Sequence, residues 1–388
     1  MHNEQQVTPH IYWVGGNDFN SPRFENLIPL KSGVTYNSYF IDDEKTAVID
    51  TTDTVIRDLF IGNVSHLLHG RKLDYIVVNH MEPDHSGSLL ALAMAYPEAK
   101  IVASAQALKM LGQYFQVSMP ERYITSDEKL VIDLGMHKLR FLKAPMVHWP
   151  EVMVEYEKSE KILFSADGFG KFGALDADED WACEARRYYF NIVGKYGAQV
   201  QALLKKAATL DIQTICPLHG PILKENLGYY IGKYMTWSSY EPEDDGVLVA
   251  YASIHGNTKK AAEKMKEILE AKGAKKVAIT DLSRDDVAEA IEDAFRYDKL
   301  VLAAASYDAS VFPCMETFLN KLTNKNYQNR KIAIIENGSW APTAARVMKS
   351  YVEKMKKITL CEKTVTIKSA MKDADVIAME ELADELLA

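Results

Sequence analysis

The sequence predicts a two-domain α/β protein, in which an α/β sandwich with helices outside is followed by a doubly wound parallel sheet. The chain has 388 residues, whereas a single core stops growing at about 250–300 residues. Residues 240–246 are acidic and contain a proline, which is typical of a linker. Beyond them, strand and helix patterns alternate regularly. We therefore expect one domain at residues 1–243 and a second at residues 246–388.

Composition and charge indicate a globular protein with small-molecule or protein partners. Hydrophobic residues make up 47% of the chain and charged residues 26%, and the formal net charge is −9. Lysine and arginine are scattered without a basic block, which argues against nucleic-acid binding. No stretch approaches the roughly 18 apolar residues of a membrane span. We expect a cytoplasmic protein with neither a nucleic acid nor a membrane as partner.

The first domain mixes strand and helix patterns. Residues 35–40 and 46–51 form a predicted hairpin around the polar turn 42–45. Helical stretches are predicted at 199–210 and 224–239, and they are preceded by strand-like runs at residues 73–78, 130–134, 139–144, 151–155 and 162–165. This order is typical of an α/β sandwich.

Potential metal ligands follow these strands, at the strand ends where α/β folds position their chemistry. The segment 79–87 has the spacing His-x-Glu-x-Asp-His, and three more candidates follow later strands. The full set is His80, Glu82, Asp84, His85, His148, Asp167 and His219. Four imidazoles and three carboxylates are enough for two metal ions with one bridging carboxylate, and they suit iron, manganese or zinc. The four cysteines form no CxxC pair, so a cysteine-ligated site is not encoded.

The second domain alternates strands with helices. The predicted strands are residues 247–252, 277–281, 300–305, 332–336 and 364–368, and the clearest helices are 259–272, 286–295 and 374–387. Five strands in this alternation predict a doubly wound parallel sheet of the flavodoxin type.

Three loops after these strands are candidates for binding a cofactor. The first loop opens a helix with hydroxyls and backbone N–H groups, which make an anion site, although serine and threonine also serve as ordinary helix caps. It contains Ser253, Ile254, His255, Gly256, Asn257 and Thr258. The other two loops contain Ser306, Tyr307, Asp308, Ala309, Asn337, Gly338, Ser339 and Trp340. A planar ring fits between loops at this edge of the sheet, with Trp340 stacked on it or beside it.

The ligand spacing resembles that of the metallo-β-lactamase superfamily. Glu82 stands where the hydrolases of that superfamily typically have histidine, and this variant is the mark of the flavodiiron proteins. Together with the three loops and the domain order, it makes essentially the whole chain similar to that family. The resemblance implies a metallo-β-lactamase-like αββα sandwich with two iron ions, followed by a flavodoxin-like FMN domain.

The resemblance also implies a role for each ligand. His80, Glu82, His148 and Asp167 correspond to ligands of one iron, and Asp84, Asp167 and His219 to ligands of the other, so that Asp167 bridges. His85 matches a position that binds the second iron in some members and lies near it in others. The carboxylate of Glu82 adds negative charge, which stabilises the oxidised state of iron and brings no comparable gain to redox-inert zinc.

The resemblance further implies an oxidoreductase that reduces dioxygen to water, nitric oxide to nitrous oxide, or both. Electrons would come from an external donor such as rubredoxin and pass through FMN to the iron pair. A head-to-tail homodimer, or a dimer of dimers, would bring the FMN of one subunit to the irons of the other. Trp149, Tyr196 and Phe24 are candidates to line a dry gas pocket, with simple packing as the alternative.

Two other functions stay open at this point. A di-zinc hydrolase with an accessory flavodoxin module would use the same ligands, and Glu82 counts against it. A non-enzymatic oxygen sensor would bind gas on the same scaffold without turnover. The remaining histidines are interpreted as surface or local polar groups, namely His2, His10, His66, His69, His137 and His255, of which His255 lies in the first loop.

Overall fold

The structure, a computed structural model, describes residues 2–388. The chain divides into two units: the first runs to Tyr188 and resumes at Ala198–Met235, and the second comprises Tyr189–Gly197 and Thr236–Ala388. This division differs from the predicted ranges 1–243 and 246–388 in two short segments, because Tyr189–Gly197 and residues 236–243 belong with the second unit. There, the ring of Phe190 stacks on that of Phe295 with centroids 4.1 Å apart.

The first unit contains sixteen of the described strands. They are β1 Gln5–Thr8, β2 Ile11–Trp13, β3 Gly16–Asp18, β4 Arg23–Phe24, β5 Ile28–Pro29, β6 Val34–Tyr36, β7 Tyr39–Ile41, β8 Ala47–Ile49, β9 Tyr75–Val78, β10 Lys100–Ala103, β11 Tyr123–Thr125, β12 Val131–Asp133, β13 Lys138–Lys143, β14 Met153–Glu157, β15 Ile162–Phe164 and β16 Thr214–Cys216.

Seven helices begin within the first unit or at its edge. They are α1 Arg57–Leu68, α2 Pro83–Ser86, α3 Leu89–Ala95, α4 Ala105–Phe115, α5 Trp181–Tyr188, α6 Gly197–Ala207 and α7 Leu227–Ser238. Short 3-10 turns occur at Thr54–Ile56 and Pro120–Arg122. Local chemistry explains individual helix starts: the Ser104 side chain, for example, accepts a hydrogen bond from the Ala107 N–H and caps α4.

Two sheets pack face to face in the first unit. One has the strand order β1-β2-β7-β8-β9-β10-β11, and the other has β12-β13-β14-β15-β16. Buried side chains of both sheets, such as Ile49, Val77, Leu139 and Phe164, form the core between them. Helices α1, α3 and α4 cover the outer face of the larger sheet through residues such as Phe60. The predicted αββα sandwich is confirmed.

One predicted strand is divided in two. Residues 35–40 do not form a single strand, because β6 pairs with β3 and β7 pairs with β2 and β8. Asn37, at the break, accepts a hydrogen bond from Trp13 Nε1 and donates to the carbonyls of Pro217 and Gly220. These side-chain bonds replace a continuous ladder. The predicted hairpin around 42–45 is formed by β7 and β8.

The second unit is a parallel sheet with helices on both faces. Its strands are β17 Asp244–Ala252, β18 Val277–Asp281, β19 Tyr297–Tyr307, β20 Ser310–Val311, β21 Gln328–Asn337 and β22 Lys356–Ile367. Its main helices are α8 Asn257–Ala271, α9 Val287–Arg296, α10 Pro313–Asn324, α11 Ala344–Val352 and α12 Asp373–Leu387. A π-helical segment Tyr189–Val193 and a 3-10 turn Gly194–Tyr196 complete it.

The strand order of this sheet is β18-β17-β19-β21-β22, with β20 a short antiparallel addition to β19. The five long strands are parallel, and their order is that of the flavodoxin-like doubly wound fold. The carboxyl ends of β17, β19 and β21 therefore meet at one edge. Among residues 2–388, no helix is both long enough and apolar enough to cross a bilayer.

Candidate metal centre and cofactor pocket

All seven predicted ligands lie at strand ends on one side of the first unit. β9 leads into His80 and Glu82, and the short helix α2 carries Asp84 and His85. His148 lies in the loop between β13 and β14, Asp167 follows β15, and His219 follows β16. The side chains are nearly inaccessible to solvent, with exposed fractions from 0% to 12%. The αββα sandwich thus brings distant parts of the sequence to one place.

Four of the ligands form one group, composed of His80, Glu82, His148 and Asp167. His80 Nε2 lies 3.2 Å from Glu82 Oε2 and 3.3 Å from Asp167 Oδ2. His148 Nε2 lies 3.0 Å from Glu82 Oε2 and 3.2 Å from the same oxygen of Asp167. Two imidazoles and two carboxylates therefore converge on one point.

Asp84, His85 and His219 form a second group. Asp84 Oδ2 lies 3.2 Å from the Nε2 atoms of both His85 and His219. The other carboxylate oxygen of Asp167, Oδ1, lies 3.1 Å from His85 Nε2 and 3.7 Å from His219 Nε2. Asp167 thus presents one oxygen to each group.

These spacings fit ligands of metal ions. Donor atoms bound at about 2.1 Å to one ion lie about 3.0–3.4 Å from each other, which is the range of most distances in both groups. Buried oxygens of Asp84 and Asp167 and the Nε2 atoms of His85 and His219 have no hydrogen-bond partner among the described residues. Buried polar atoms rarely stay without a partner, and a cation would supply one.

Contacts behind the ligands fix their orientation. Glu151 Oε1 lies 2.8 Å from His80 Nδ1 and accepts a hydrogen bond from the Met81 N–H, so His80 turns its Nε2 toward the first group. Gly220, which follows the ligand His219, has φ +77° and packs closely against Lys171. A Cβ added at Gly220 would lie 2.6 Å from the Cγ of Lys171, so glycine is required there. Glu151 was not predicted from the sequence, although it follows His148 by only three residues.

A buried polar network supports the segment that carries His80. Asp50 accepts hydrogen bonds from the backbone N–H and side-chain Nδ2 of Asn79, at 2.7 and 2.8 Å. Glu155 Oε2 accepts from the same Nδ2 at 2.6 Å. Burial raises the pKa of Asp50 to about 6 and raises that of Glu155 well above its usual range. Asp50 and Glu155 were not predicted from the sequence.

The ligands attract positive charge strongly. Burial alone would lower the pKa of His80, but the carboxylates of Asp167 and Glu151 hold it well above its usual value. Burial would also lower the pKa of His148, but the neighbouring carboxylates of Asp167 and Glu82 raise it to about 9. Despite burial, the neighbouring imidazoles hold the pKa of Asp167 well below its usual value. A metal ion would replace the protons held there.

A cavity of about 630 Å³ opens beside the ligands and is lined by Phe24, Glu25, Tyr36, Trp149 and other side chains. The Trp149 ring lies 5.1 Å from that of His80, and Phe24 lies 5.3 Å from His219. Burial and a hydrogen bond with Glu82 raise the pKa of Glu25 to about 7. Trp149 and Phe24 therefore line a cavity beside the ligands, and their role in a gas pocket stays a prediction.

Tyr196 does not belong to this group of aromatic residues. It lies in the 3-10 turn of the second unit, with the Lys195 ammonium 5.9 Å from its ring centroid. Tyr188, eight residues earlier, instead has its ring 5.3 Å from that of His219 in the first unit. The expected lining role of Tyr196 gains no support.

His137, interpreted from the sequence as a surface or local polar group, is fully buried, and its Nδ1 lies 2.8 Å from a carboxylate oxygen of Asp43.

The second unit has a cavity of about 520 Å³ at the carboxyl edge of its sheet. Of the fourteen residues predicted there, thirteen line it, and they are Ser253, Ile254, His255, Asn257, Thr258, Ser306, Tyr307, Asp308, Ala309, Asn337, Gly338, Ser339 and Trp340. Gly256, with φ +91°, immediately precedes α8 in the same loop. The three predicted loops therefore surround one pocket.

Hydrogen bonds shape this pocket. Ser253 Oγ accepts from the Gly256 N–H at 3.1 Å, which curls the first loop toward the start of α8. Ser306 Oγ accepts from the Thr343 N–H at 2.8 Å and ties the second loop to the segment that follows the third loop. The side chain of Trp340 is 93% exposed at the rim. Four lining residues were not predicted from the sequence, namely Ala305, Ala341, Thr343 and Ser369, although Ser369 follows the last predicted strand.

Both units match models of known protein families. The ODP family β-lactamase matches residues 34–220, and the flavodoxin domain matches residues 248–366. An uncharacterized protein of Methanocaldococcus jannaschii is 35% identical over 291 residues, which are 72% of this chain and 72% of that protein. The nitric oxide reductase of Moorella thermoacetica is 27% identical over 396 residues, 98% of each chain.

Solved structures share the whole architecture. The rubredoxin oxygen:oxidoreductase from Desulfovibrio gigas has a TM-score of 0.93 at 23% identity, covering 99% of this chain and 98% of that chain. The flavodiiron protein from Giardia intestinalis has a TM-score of 0.91 at 23% identity, covering 100% of this chain and 96% of the other. At this level of identity, the likeness establishes the fold.

Proposed function

Because the chain belongs to the flavodiiron protein family, we propose that it is a di-iron flavoprotein oxidoreductase. It reduces nitric oxide to nitrous oxide, dioxygen to water, or both, with electrons passed through FMN. The observation that carries the proposal is the position of Asp167, which presents one oxygen to each of two buried ligand groups. A pair of ions held by a shared carboxylate suits the reduction of a diatomic molecule.

The residues fit an iron pair. His80, Glu82, His148 and Asp167 would hold one ion, and Asp84, Asp167 and His219 the other, with His85 beside the second. The unpartnered buried atoms of Asp84, His85, Asp167 and His219 support this assignment. Three carboxylates nearly neutralise a diferrous pair, so the reduced site can remain in an apolar pocket. When bound, the iron pair supplies electrons and open positions for the gas.

Several side chains around the ligands limit access of water. Phe24 and Tyr188 pack edge-on or tilted against His219, and Trp149 packs against His80. Excluding water strengthens the electrostatic interactions inside the site and hinders the escape of partly reduced oxygen. Glu151 holds His80 in the orientation that directs Nε2 to the first group. The role proposed for Trp149 in the reaction is this exclusion of water beside His80.

The pocket of the second unit fits FMN. The loop Ser253 to Thr258 would hold the phosphate at the start of α8, where backbone N–H groups and the helix dipole favour an anion. Thr258, which is 2% exposed, provides a hydroxyl in that loop. The ring would lie between the loops at Ser306–Ala309 and Asn337–Trp340. Gly338 lets these loops approach, because a Cβ there would lie 3.1 Å from Ser306 Oγ.

The proposal extends to the partners and the setting of the protein. The electron donor would be rubredoxin or a similar reduced carrier, and the active form would be a head-to-tail homodimer or a dimer of dimers. As predicted from the sequence, residues 1–243 would carry the di-iron site and residues 246–388 the FMN site. A cytoplasmic location is supported by the four cysteines, which form no disulfide among the described residues, as is usual in a reducing compartment.

Steady-state gas consumption tests the proposal. Protein of known iron, zinc and flavin content is supplied with reduced rubredoxin, and loss of nitric oxide or dioxygen is followed with an electrode. We expect many turnovers per chain in wild type and almost none in Asp167→Ala. An active-site content of zinc with hydrolase activity, or iron-loaded protein that binds gas without turnover, would contradict the proposal.

A further inference from the structure

A second cluster of metal-ligating side chains lies in the first unit and shares no residue with the candidate di-iron centre. One donor atom each from His2, Glu4 and His66 lies within 4.8 Å of the others. His66 Nδ1 is 2.7 Å from Glu4 Oε1, and the rings of His2 and His66 stack with centroids 4.4 Å apart. Two imidazoles and a carboxylate are thus gathered at the protein surface.

The backbone beneath the cluster is fixed. Asn3, between His2 and Glu4, donates its backbone N–H to Asn63 Oδ1 at 3.2 Å, and Asn63 Nδ2 donates to Asn3 Oδ1 at 2.7 Å. Asn63 is fully buried in α1 and also donates to the Val14 carbonyl. His66 lies one turn further along the same helix. The reciprocal pair therefore holds the chain near its amino end against α1 with the three donors together.

One atom of the cluster lacks a hydrogen-bond partner. Glu4 Oε2 is buried and accepts no hydrogen bond among the described residues, while Oε1 faces His66. The Glu4 side chain is only 17% exposed, whereas that of His66 is 46% exposed. A carboxylate held in this way attracts a cation, and the exposed imidazole gives an ion a path from solvent.

We propose that His2, Glu4 and His66 bind a divalent transition-metal ion, with water completing the coordination. Imidazole donors favour zinc, nickel, copper or cobalt, whereas calcium and magnesium prefer oxygen ligands. The bound ion joins the segment before β1 to α1 and stabilises that contact, since a ligand that binds only the folded state stabilises it. The alternative is a simple ion pair between His66 and Glu4 that binds no metal.

Zinc binding to iron-loaded, full-length protein without an affinity tag tests the proposal. Zinc alone is titrated at neutral pH, and bound zinc and retained iron are measured together after dialysis. We expect one zinc ion per chain to bind without loss of iron. His66→Ala and Glu4→Gln should each weaken this binding at least about tenfold. His10→Ala, a change at an exposed histidine outside the cluster, should leave it unchanged.

Cobalt provides a spectroscopic check that does not depend on enzyme activity. Visible absorption of bound cobalt should appear in wild type and His10→Ala and be lost in His66→Ala, with matching thermal unfolding of the metal-free proteins showing that each variant folds. Equal zinc binding by wild type and His66→Ala would overturn the proposal. So would zinc that enters only by displacing iron, or no zinc binding at all. The difference in metal binding between wild type and His66→Ala tests this site independently of whether the protein reduces a gas.

Discussion

His80 Nδ1 lies 2.8 Å from Glu151 Oε1, and neither side chain is exposed to solvent. This contact leaves His80 Nε2 as the atom that faces Glu82, His148 and Asp167. A carboxylate behind a metal-binding imidazole fixes its tautomer and increases its basicity. Glu151 is therefore a positioning residue for the proposed iron site.

Replacing Glu151 should weaken iron binding without removing a ligand. We expect Glu151→Gln to lower iron affinity about 10–100-fold, because the amide cannot accept the imidazole proton as strongly as a carboxylate. Iron retention against a chelator measures the effect, with Glu128→Gln as an exposed control. Unchanged retention in Glu151→Gln would show that the contact does not tune the site.

The position of Asp167 predicts a difference in metal content between variants. Asp167→Ala should lose both ions, because one oxygen faces each ligand group. Asp84→Ala should lose mainly the second ion, since Asp84 contacts only His85 and His219 among the candidate imidazoles. Asp53→Asn, at a carboxylate that lines the cavity but belongs to neither group, serves as control. Elemental analysis that finds one ion retained in Asp167→Ala would argue against a shared carboxylate.

The first loop of the second unit should recognise the phosphate of FMN. Thr258→Val removes a buried hydroxyl at the start of α8 and should weaken FMN binding at least about tenfold. Riboflavin lacks the phosphate, so its affinity should hardly change. Flavin fluorescence titrations of both ligands separate the two effects. An equal loss for both flavins would place Thr258 elsewhere than at the phosphate.

Glu155 predicts a pH-dependent stability. Burial raises the folded-state pKa of Glu155 above the ordinary 4.5. The contribution of Glu155 to the free energy of unfolding is therefore fully present below about pH 4.5 and is lost as the pH rises through the folded-state pKa. Glu155→Gln cannot ionise and avoids this loss. In thermal scans of metal-free protein, the unfolding midpoint of Glu155→Gln should therefore rise relative to that of wild type as the pH increases from 5 to 8. A constant difference across that range would contradict the raised pKa.

Much of the fold followed from local patterns. The alternation of strands and helices after residue 246 predicted the parallel sheet, because apolar runs and helix starts are encoded locally. The division of residues 35–40 into β6 and β7 was not predictable in this way. It depends on Asn37 bonding to carbonyls of Pro217 and Gly220, about 180 residues away in sequence. Long-range side-chain bonds leave no periodic signal.

The candidate sites show the same limit. The seven metal ligands could be identified because their chemistry and strand-end positions repeat, and the pocket loops because they follow parallel strands. Glu151, Asn79 and Asp50 act through contacts behind the ligands, which sequence spacing alone does not specify. Tyr196 was chosen from the sequence, whereas Tyr188 lies beside His219. The chain passes to the second unit directly after Tyr188, and no local pattern marks that point.

Rapid mixing of anaerobically reduced protein with nitric oxide or dioxygen tests the central claim most directly. Flavin absorbance and dissolved gas are followed together in iron-loaded wild type and in Asp167→Ala with bound FMN. Flavin reoxidation in step with gas loss in wild type, and much slower reoxidation in the variant, is the predicted result. Wild-type flavin that stays reduced with both gases, or is reoxidised equally fast without the iron ligands, would contradict a di-iron gas reductase.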